Sequence, residues 1–545
     1  MKGSGSALST PDSALIPPCC EWARGEAPIL FVAPHGGRRA QVDATAPLPR
    51  LRVNDIYTPE VTRMLAGALD AGCVLNTGMD RNVLDLNRIS HVRTQAPWFL
   101  TLLTQEIAHI IVRHGRVELV FVHGWNTGQA TCDIGIGAVE TPSGLHVPDG
   151  AYLTVNEPFR RQRIDRFRAA CGRARIRAAL GERYPGSHRN NLLQLFTPRA
   201  AQIDHPCAQR IATWVAEGRI NAIQLELGIP LRWPGAWREQ FVAALVESFA
   251  GAAAPQSAAP VLQLKSRDPE LRAEAVALQF YDAGADVGMV AGIGPAGPRV
   301  TGGRVLLFLG GQRVALFTGE EVHADGQGVG PLRVSRCGNA MRLDFSGPML
   351  RLDDAAFYVD LEAALVRSQL VDADVQVEFA PTGTPTAAAT AQFGVLRGFI
   401  AVGGERQEVE AGAFANAGGW RASGGHQQTM LAAAFGYEHA VWSRVVDGGG
   451  EATGMHFTPH APETLRGVRI AVTTDGDAYT PRRFELTCDD APAITGQALS
   501  RMAILRPAGA AGYLRVTFGV ARFEWNGATG YGLYEHARPV ARSDQ

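Results

Sequence analysis

Apolar residues along this chain follow two different rhythms, and the rhythm changes near residue 255. Before that point, short unbroken apolar runs alternate with stretches whose apolar residues recur at helical spacing. Ile29 to Val32 is one such run and stops at Pro34-His35-Gly36-Gly37. Thr58-Pro59 reads as an N-cap followed by proline in the first turn, opening a helix through Leu69. Phe99, Leu103, Ile107, Ile110 and Ile111 mark a helix over Phe99 to His114. Val117 to Val122 is a second strand, ending at His123, and Ile220 to Leu227 a third, ending at Gly228. Phe159 to Leu180 reads as an arginine-rich helix, and Trp237 to Phe249 closes this half as an amphipathic one. Strands alternating with helices predict an α/β sheet covered on both faces, with ligands at the carboxyl ends of the strands.

After residue 260 the helical spacing disappears. Val305 to Leu309, Met341 to Phe345, Val375 to Phe379, Val468 to Thr473 and Tyr513 to Phe518 are short apolar runs separated by Gly, Pro, Asp and Asn. This predicts an all-β region, a barrel or sandwich, in two units meeting near residue 400. The uncharged stretch Gly251 to Pro260 reads as the linker. The expected division is a disordered lead over 1–24, an α/β domain over 25–250, the linker 251–260, and β units over 261–400 and 401–545.

Composition narrows the function. The 545 residues carry a formal net charge of -1, which gives no general attraction to nucleic acid or anionic membrane. The eight cysteines include no C-x-x-C pair, which argues against a disulfide framework or a structural zinc cluster. No run of about 18 apolar residues is present. The opening MKGSGSALSTPDSALIPP lacks an apolar signal core, so a cytoplasmic protein is expected. The eight arginines between Arg160 and Arg177 are read as a solvated helix face and not as a nucleic-acid arm.

Three expected strands bring polar residues to their carboxyl ends: His35, His123 and Glu226. A catalytic zinc needs about three protein ligands and one open position. Two histidines supply two. Asp55, in the loop before the first helix, is the best third, with Glu60 as the alternative. A separate carboxylate must shuttle a proton, and Glu226 between Leu225 and Leu227 is placed for it. Taken singly, a strand-end histidine is more often a hydrogen-bonded structural residue than a metal ligand, and Asp55 can equally be a helix cap. Glu226 is harder to set aside, because a carboxylate in an apolar run must pair, bind metal or do chemistry.

A series of strings, in order, resembles the N-formylglutamate amidohydrolase family over about residues 27–250. Pro34-His35-Gly36-Gly37 resembles that family's PHxG motif, and Asn54-Asp55-Ile56 its Asp-containing segment. Asp80 to Arg88 looks like its R-x-V-x-D-L-N-R signature, and Phe121-Val122-His123-Gly124 like its strand ending in one histidine. Thr131-Cys132-Asp133 and Ala222 to Leu227 resemble its later strings. The resemblance implies a zinc carboxypeptidase-like fold and hydrolysis of a small amide on an amino acid. It implies one zinc ion held by His35, Asp55 and His123, with Glu226 as general base and acid. Asn87-Arg88 matches the pair that grips the substrate carboxylate in related carboxypeptidases, a role suited to bidentate arginine geometry. Arg199 is a further candidate anion contact, and Arg81 a contact or a support for the site together with Asp85.

The sequence also departs from the family pattern. Arg38 stands where the carboxypeptidases place a ligand glutamate three residues after the first histidine, and Gly124 where the family has serine. Thr197-Pro198-Arg199 only faintly matches its Ile-Thr-Arg string, so N-formylglutamate itself is not the expected substrate.

The second half resembles, more weakly, lipocalin-like double barrels of the carotenoid hydratase type, through Phe393 to Gly398 and Gly530 to Glu535. Ala413 to Trp420 lacks that group's Asp-His pair, so a barrel that binds an apolar small molecule, or a packing module that shapes the hydrolase's pocket, is expected rather than hydratase chemistry. The resulting expectation is a metal-dependent amidohydrolase acting on a small molecule that bears a carboxylate. The alternative is a binding protein that uses its β region for an apolar small molecule.

Overall fold

The computed structural model describes residues 17–39, 52–250, 276–297, 300–320, 322–323, 327–382, 391–417, 427–446, 452–476, 479–489, 491–507 and 513–540. The expected linker over 251–260 and the first part of the lead lie outside the described residues. The chain forms two compact units. The first comprises the described residues up to 250 apart from Thr127–Gln129, and the second comprises those three with the strands from Val276 onward.

The first unit is a seven-stranded mixed sheet. Its strands are β1 (Cys20–Ala23), β2 (Ile29–Ala33), β3 (Gly72–Asn76), β4 (Val117–Gly124), β5 (Thr131–Gly135), β6 (Arg177–Leu180) and β7 (Ile220–Leu227), in the order β1-β3-β2-β4-β7-β5-β6. The centre, β3-β2-β4-β7, is parallel, while β1 and β5 run against their neighbours β3 and β7. β2 is apolar throughout because it is buried on both sides. Leu30 and Val32 enter one core with Leu119, Phe121 and the helix Pro97–His114. Ile29, Phe31 and Ala33 enter the other, with Val61, Leu65, Phe167 and Phe241.

Three expectations change here. Residues 20–23, assigned to the lead, are the edge strand β1, held by pairing from Cys20↔Asn76 to Ala23↔Cys73. Thr58 does not cap the first helix; Tyr57 holds the cap position in the left-handed region, and Thr58 Oγ1 donates to the Asp55 carbonyl. The arginine-rich helix ends at Arg173, and Arg175, with φ 58°, turns the chain so that Arg177–Leu180 pairs with β5 as a strand. Four of its arginines pair with carboxylates of the same unit: Arg160 and Arg161 with Glu157, Arg163 with Glu118, and Arg168 with Glu140.

The second unit is all β apart from short helical segments. Eight antiparallel strands close into a barrel, with Val314–Gly319 pairing Ala340–Leu352 across the seam. Period-two alternation decides each side chain's direction. Val305 and Leu307 fill the barrel, whereas Leu306 and Phe308 pack outward on Val516, Phe518 and Leu533 of a second sheet. That sheet has nine antiparallel strands and stays open among the described residues. The division expected near residue 400 falls inside the strand Ala391–Val402. That strand hairpins through Gly403-Gly404, both at positive φ, into Glu405–Ala417 of the same sheet. The sheets change between Ala417 and Gln428 instead. Among the described residues no helix is long and apolar enough to cross a membrane.

Candidate metal centre

The core face of the central strands turns polar at their carboxyl ends. On β4, Leu119 and Phe121 give way to His123; on β7, Ile220 and Ala222 give way to Gln224 and Glu226. The parallel register sets His123 opposite Glu226, and the antiparallel register of β5 sets Asp133 on the other side of Glu226. His35 follows β2 by two residues. Asp55 is drawn to it by its own backbone, the Asp55 amide donating to the His35 carbonyl at 2.9 Å.

Three buried atoms form a near-equilateral triangle. His123 Nδ1 lies 3.2 Å from His35 Nδ1 and 3.2 Å from Asp55 Oδ2, and His35 Nδ1 lies 3.3 Å from the same oxygen. A tetrahedral first-row metal with bonds of about 2.0–2.1 Å holds its donors about 3.3–3.4 Å apart. The triangle therefore has the size of one face of such a coordination sphere, and the three residues can hold a metal ion. With Nε2 engaged by Asp85, Nδ1 is the His35 nitrogen that faces the triangle and can serve as a ligand.

Neighbouring residues fix the orientation of two of the three donors. Asp85 Oδ1 lies 2.6 Å from His35 Nε2, the carboxylate–histidine arrangement that holds a ligand ring in one tautomer. Arg81 Nη1 donates to Asp55 Oδ1 at 2.9 Å, leaving Oδ2 for the triangle. Asn54 bonds both Asp80 and the Arg81 amide, knitting the Asp55 loop to the 80–82 segment. Gly36 permits the approach, since a Cβ there would lie 2.1 Å from Pro59 Cγ. His123 Nε2 is buried without a hydrogen-bond partner among the described residues.

Charge follows geometry. Burial pushes the Asp55 carboxyl up, but the Arg81 guanidinium and the neighbouring His123 and His35 imidazoles outweigh it and hold it well below the usual carboxylate range. Asp85 is likewise lowered against its burial, by His35 and Arg81. Burial brings the His123 imidazole down to about 4 despite Asp55, so it is neutral and able to ligate at pH 7. Glu226 moves the other way. Burial, reinforced by the Asp55 charge, raises it well above the ordinary glutamate value. Its Oε1 accepts from Gln224 Nε2 at 2.8 Å, and Gln224 Oε1 in turn accepts from Asn191 Nδ2.

The remaining candidates divide. Asn87 and Arg88 lie two and three residues after Asp85; Arg88 Nε reaches Asp85 Oδ2 at 3.4 Å, and Asn87 Oδ1 is buried without a partner among the described residues. Arg81, expected as a substrate contact or a support, bonds Asp55 and the Val53 carbonyl. Arg199 donates to the Gly150 carbonyl and makes no contact with the triangle among the described residues. Glu60 lies near Arg38 at 4.0 Å and is not part of the cluster. Cys132 is fully buried, and burial pushes its thiol well up. Gln224 was missed in the sequence, although Gln224 and Glu226 two apart on one strand share a face. Arg232 was missed too, a lone cation between Leu231 and Trp233.

No family model matches the chain, and no curated protein matches it. Among solved structures, N-formylglutamate amidohydrolase from Ralstonia eutropha JMP134 is similar at 14% identity over 42% of this chain and 95% of that chain, with TM-score 0.29. Kievitone hydratase from Nectria haematococca is similar at 10% identity over 48% of this chain and 87% of that chain, with TM-score 0.31.

Proposed function

We propose that this protein is a zinc-dependent hydrolase of an amide bond in a small N-acyl or N-formyl amino-acid-like molecule. The observation that carries the proposal is the buried triangle of His35 Nδ1, His123 Nδ1 and Asp55 Oδ2, with sides of 3.2–3.3 Å. The ordered strings from Pro34 to Leu227 support the same reading. In it, His35, Asp55 and His123 would hold the ion, which when bound would supply Lewis acidity toward the substrate carbonyl and a water acidified to a pKa of about 7.

The chain's own residues supply the rest. Glu226, whose proton affinity is raised by burial and by Asp55, accepts the proton of the attacking water and returns it to the leaving nitrogen. Gln224 occupies Oε1, so Oε2 is the oxygen that shuttles. Arg88 and Asn87 receive the substrate carboxylate beside the site. Hydrolysis then releases a carboxylic acid and an amine.

The test is elemental analysis of the purified full chain together with a screen of N-acyl amino acids. About one zinc per chain is expected, with turnover that a chelator abolishes and added zinc restores. A chain without stoichiometric metal, or with turnover indifferent to chelation, would remove the proposal.

A further inference from the structure

Arg232 is fully buried, at 0% exposure, yet it is no part of the triangle. It follows the short helix Ile229–Leu231, which turns the chain back over the end of β7. Its guanidinium makes four hydrogen bonds, to segments that come from three places in the sequence. Nε donates to the Leu227 carbonyl at 3.0 Å and Nη1 to the Ile56 carbonyl at 2.8 Å. Nη2 donates to the Trp125 carbonyl at 3.2 Å and to Asn126 Oδ1 at 2.9 Å. Leu227 follows Glu226, Ile56 follows Asp55, and Trp125 lies two residues after His123.

Gly124 makes room for this arrangement. A Cβ at that position would lie 2.4 Å from Arg232 Nη1 and 3.1 Å from Asp55 Cβ. Trp233 meets Tyr57 edge-on at 4.9 Å, which closes the ring over the Asp55 loop. A planar guanidinium spreads five donors over three nitrogens in a fixed fork and so ties three diverging segments, whereas an ammonium offers three donors from a single point. Burying an unpaired cation is costly, so a residue with this environment is kept for what it holds together.

We propose that Arg232 is a positioning residue: it fixes the strand end and loops that carry Asp55, His123 and Glu226, and so sets the spacing of the metal triangle. The inference rests on the metal reading above. It predicts a role exerted on metal affinity, separable from the stability of the fold.

The test compares the full-length chain with its Arg232→Lys and Gly124→Ala variants, using Co²⁺ as the probe. Near-ultraviolet circular dichroism and the melting temperature of the metal-free proteins report the fold. Chelator competition gives Co²⁺ affinity, and the visible absorption reports the coordination geometry. Both variants are expected to keep the wild-type dichroism, to bind Co²⁺ about 10–100-fold more weakly, and to show an altered visible band. Folded variants with wild-type affinity and an unchanged band would overturn the inference while leaving the metal reading intact. A wild-type chain that takes up no Co²⁺ would overturn both. If Arg232→Lys does not fold, Gly124→Ala decides, because it displaces the guanidinium without removing the charge.

Discussion

Asp85 Oδ1 meets His35 Nε2 at 2.6 Å, and this contact determines which nitrogen His35 turns toward Asp55 and His123. With the Nε2 proton held by a carboxylate that is itself bonded by Arg52 and Arg88, Nδ1 is left with a lone pair. Asp85→Asn can place an amide N–H against Nε2 and force the proton onto Nδ1. Metal affinity should fall about 10–100-fold with the fold retained, as measured by chelator competition on the folded protein. Unchanged affinity would show that the tautomer of His35 is set elsewhere.

Glu226→Gln should separate binding from chemistry. The amide keeps the size of the side chain and its contact with Gln224, but it cannot accept a proton. Metal content should stay at the wild-type level while turnover falls by about 100- to 10,000-fold. A variant that stays active would refute the proton-shuttle role.

His35→Ala and His123→Ala each remove one corner of the triangle. Either variant should lose its metal on dialysis while remaining folded, as read by elemental analysis beside circular dichroism. Wild-type metal content in both would mean that these imidazoles do not ligate.

His536 predicts an acid-sensitive β half. It is 2% exposed, its Nδ1 lies 2.9 Å from Thr429 Oγ1, and burial lowers it to about 4. Its value in the unfolded chain is about 6.5. Because the folded value is the lower one, the stabilisation is complete above about pH 6.5 and is lost as the pH falls toward 4. The full effect is about 3 kcal/mol. His123 contributes to the same acid window, so the comparison must be made with a variant. His536→Gln should flatten the fall in melting temperature between pH 6.5 and 4; an identical slope would remove His536 from the explanation.

Glu118 and Arg163 form a buried pair at 3.1 Å, with side-chain exposures of 5% and 14%. Arg163 also donates to the Ser248 carbonyl, so it ties β4 to the last helix of the first unit. Glu118→Gln leaves the cation buried without its counter-charge and should destabilise this unit by about 3–5 kcal/mol in denaturant titration. A loss below about 1 kcal/mol would indicate that water replaces the carboxylate.

Much of this architecture was legible because local rules governed it. β2 is an unbroken apolar run, β4 and β7 are largely apolar, and the proline placed the start of the first helix to within one residue. His35 and His123 could be named as candidates because each stands at the end of an expected strand, and Asp55 because it stands just before an expected helix. What was hidden depended on long-range partners. Nothing local marks Arg175 as left-handed or makes Arg177–Leu180 a strand; pairing with β5 does that. Arg81 could not be assigned to Asp55 until the loops were seen to cross. The joint between the β sheets, expected near residue 400, was misplaced because Ala391–Val402 and Glu405–Ala417 form one hairpin within the barrel.

The triangle joins residues 68 and 88 positions apart along the chain, and His35 is oriented from 50 positions away. No short peptide from this protein can preform such a cage. It exists only after parallel strands, intrinsically slow to pair, have found one another. On the metal reading proposed above, the order of events would be opposite to that of a zinc finger, where the ion organises an otherwise unfolded chain: the sheet would assemble first, and the completed protein would then select its ion.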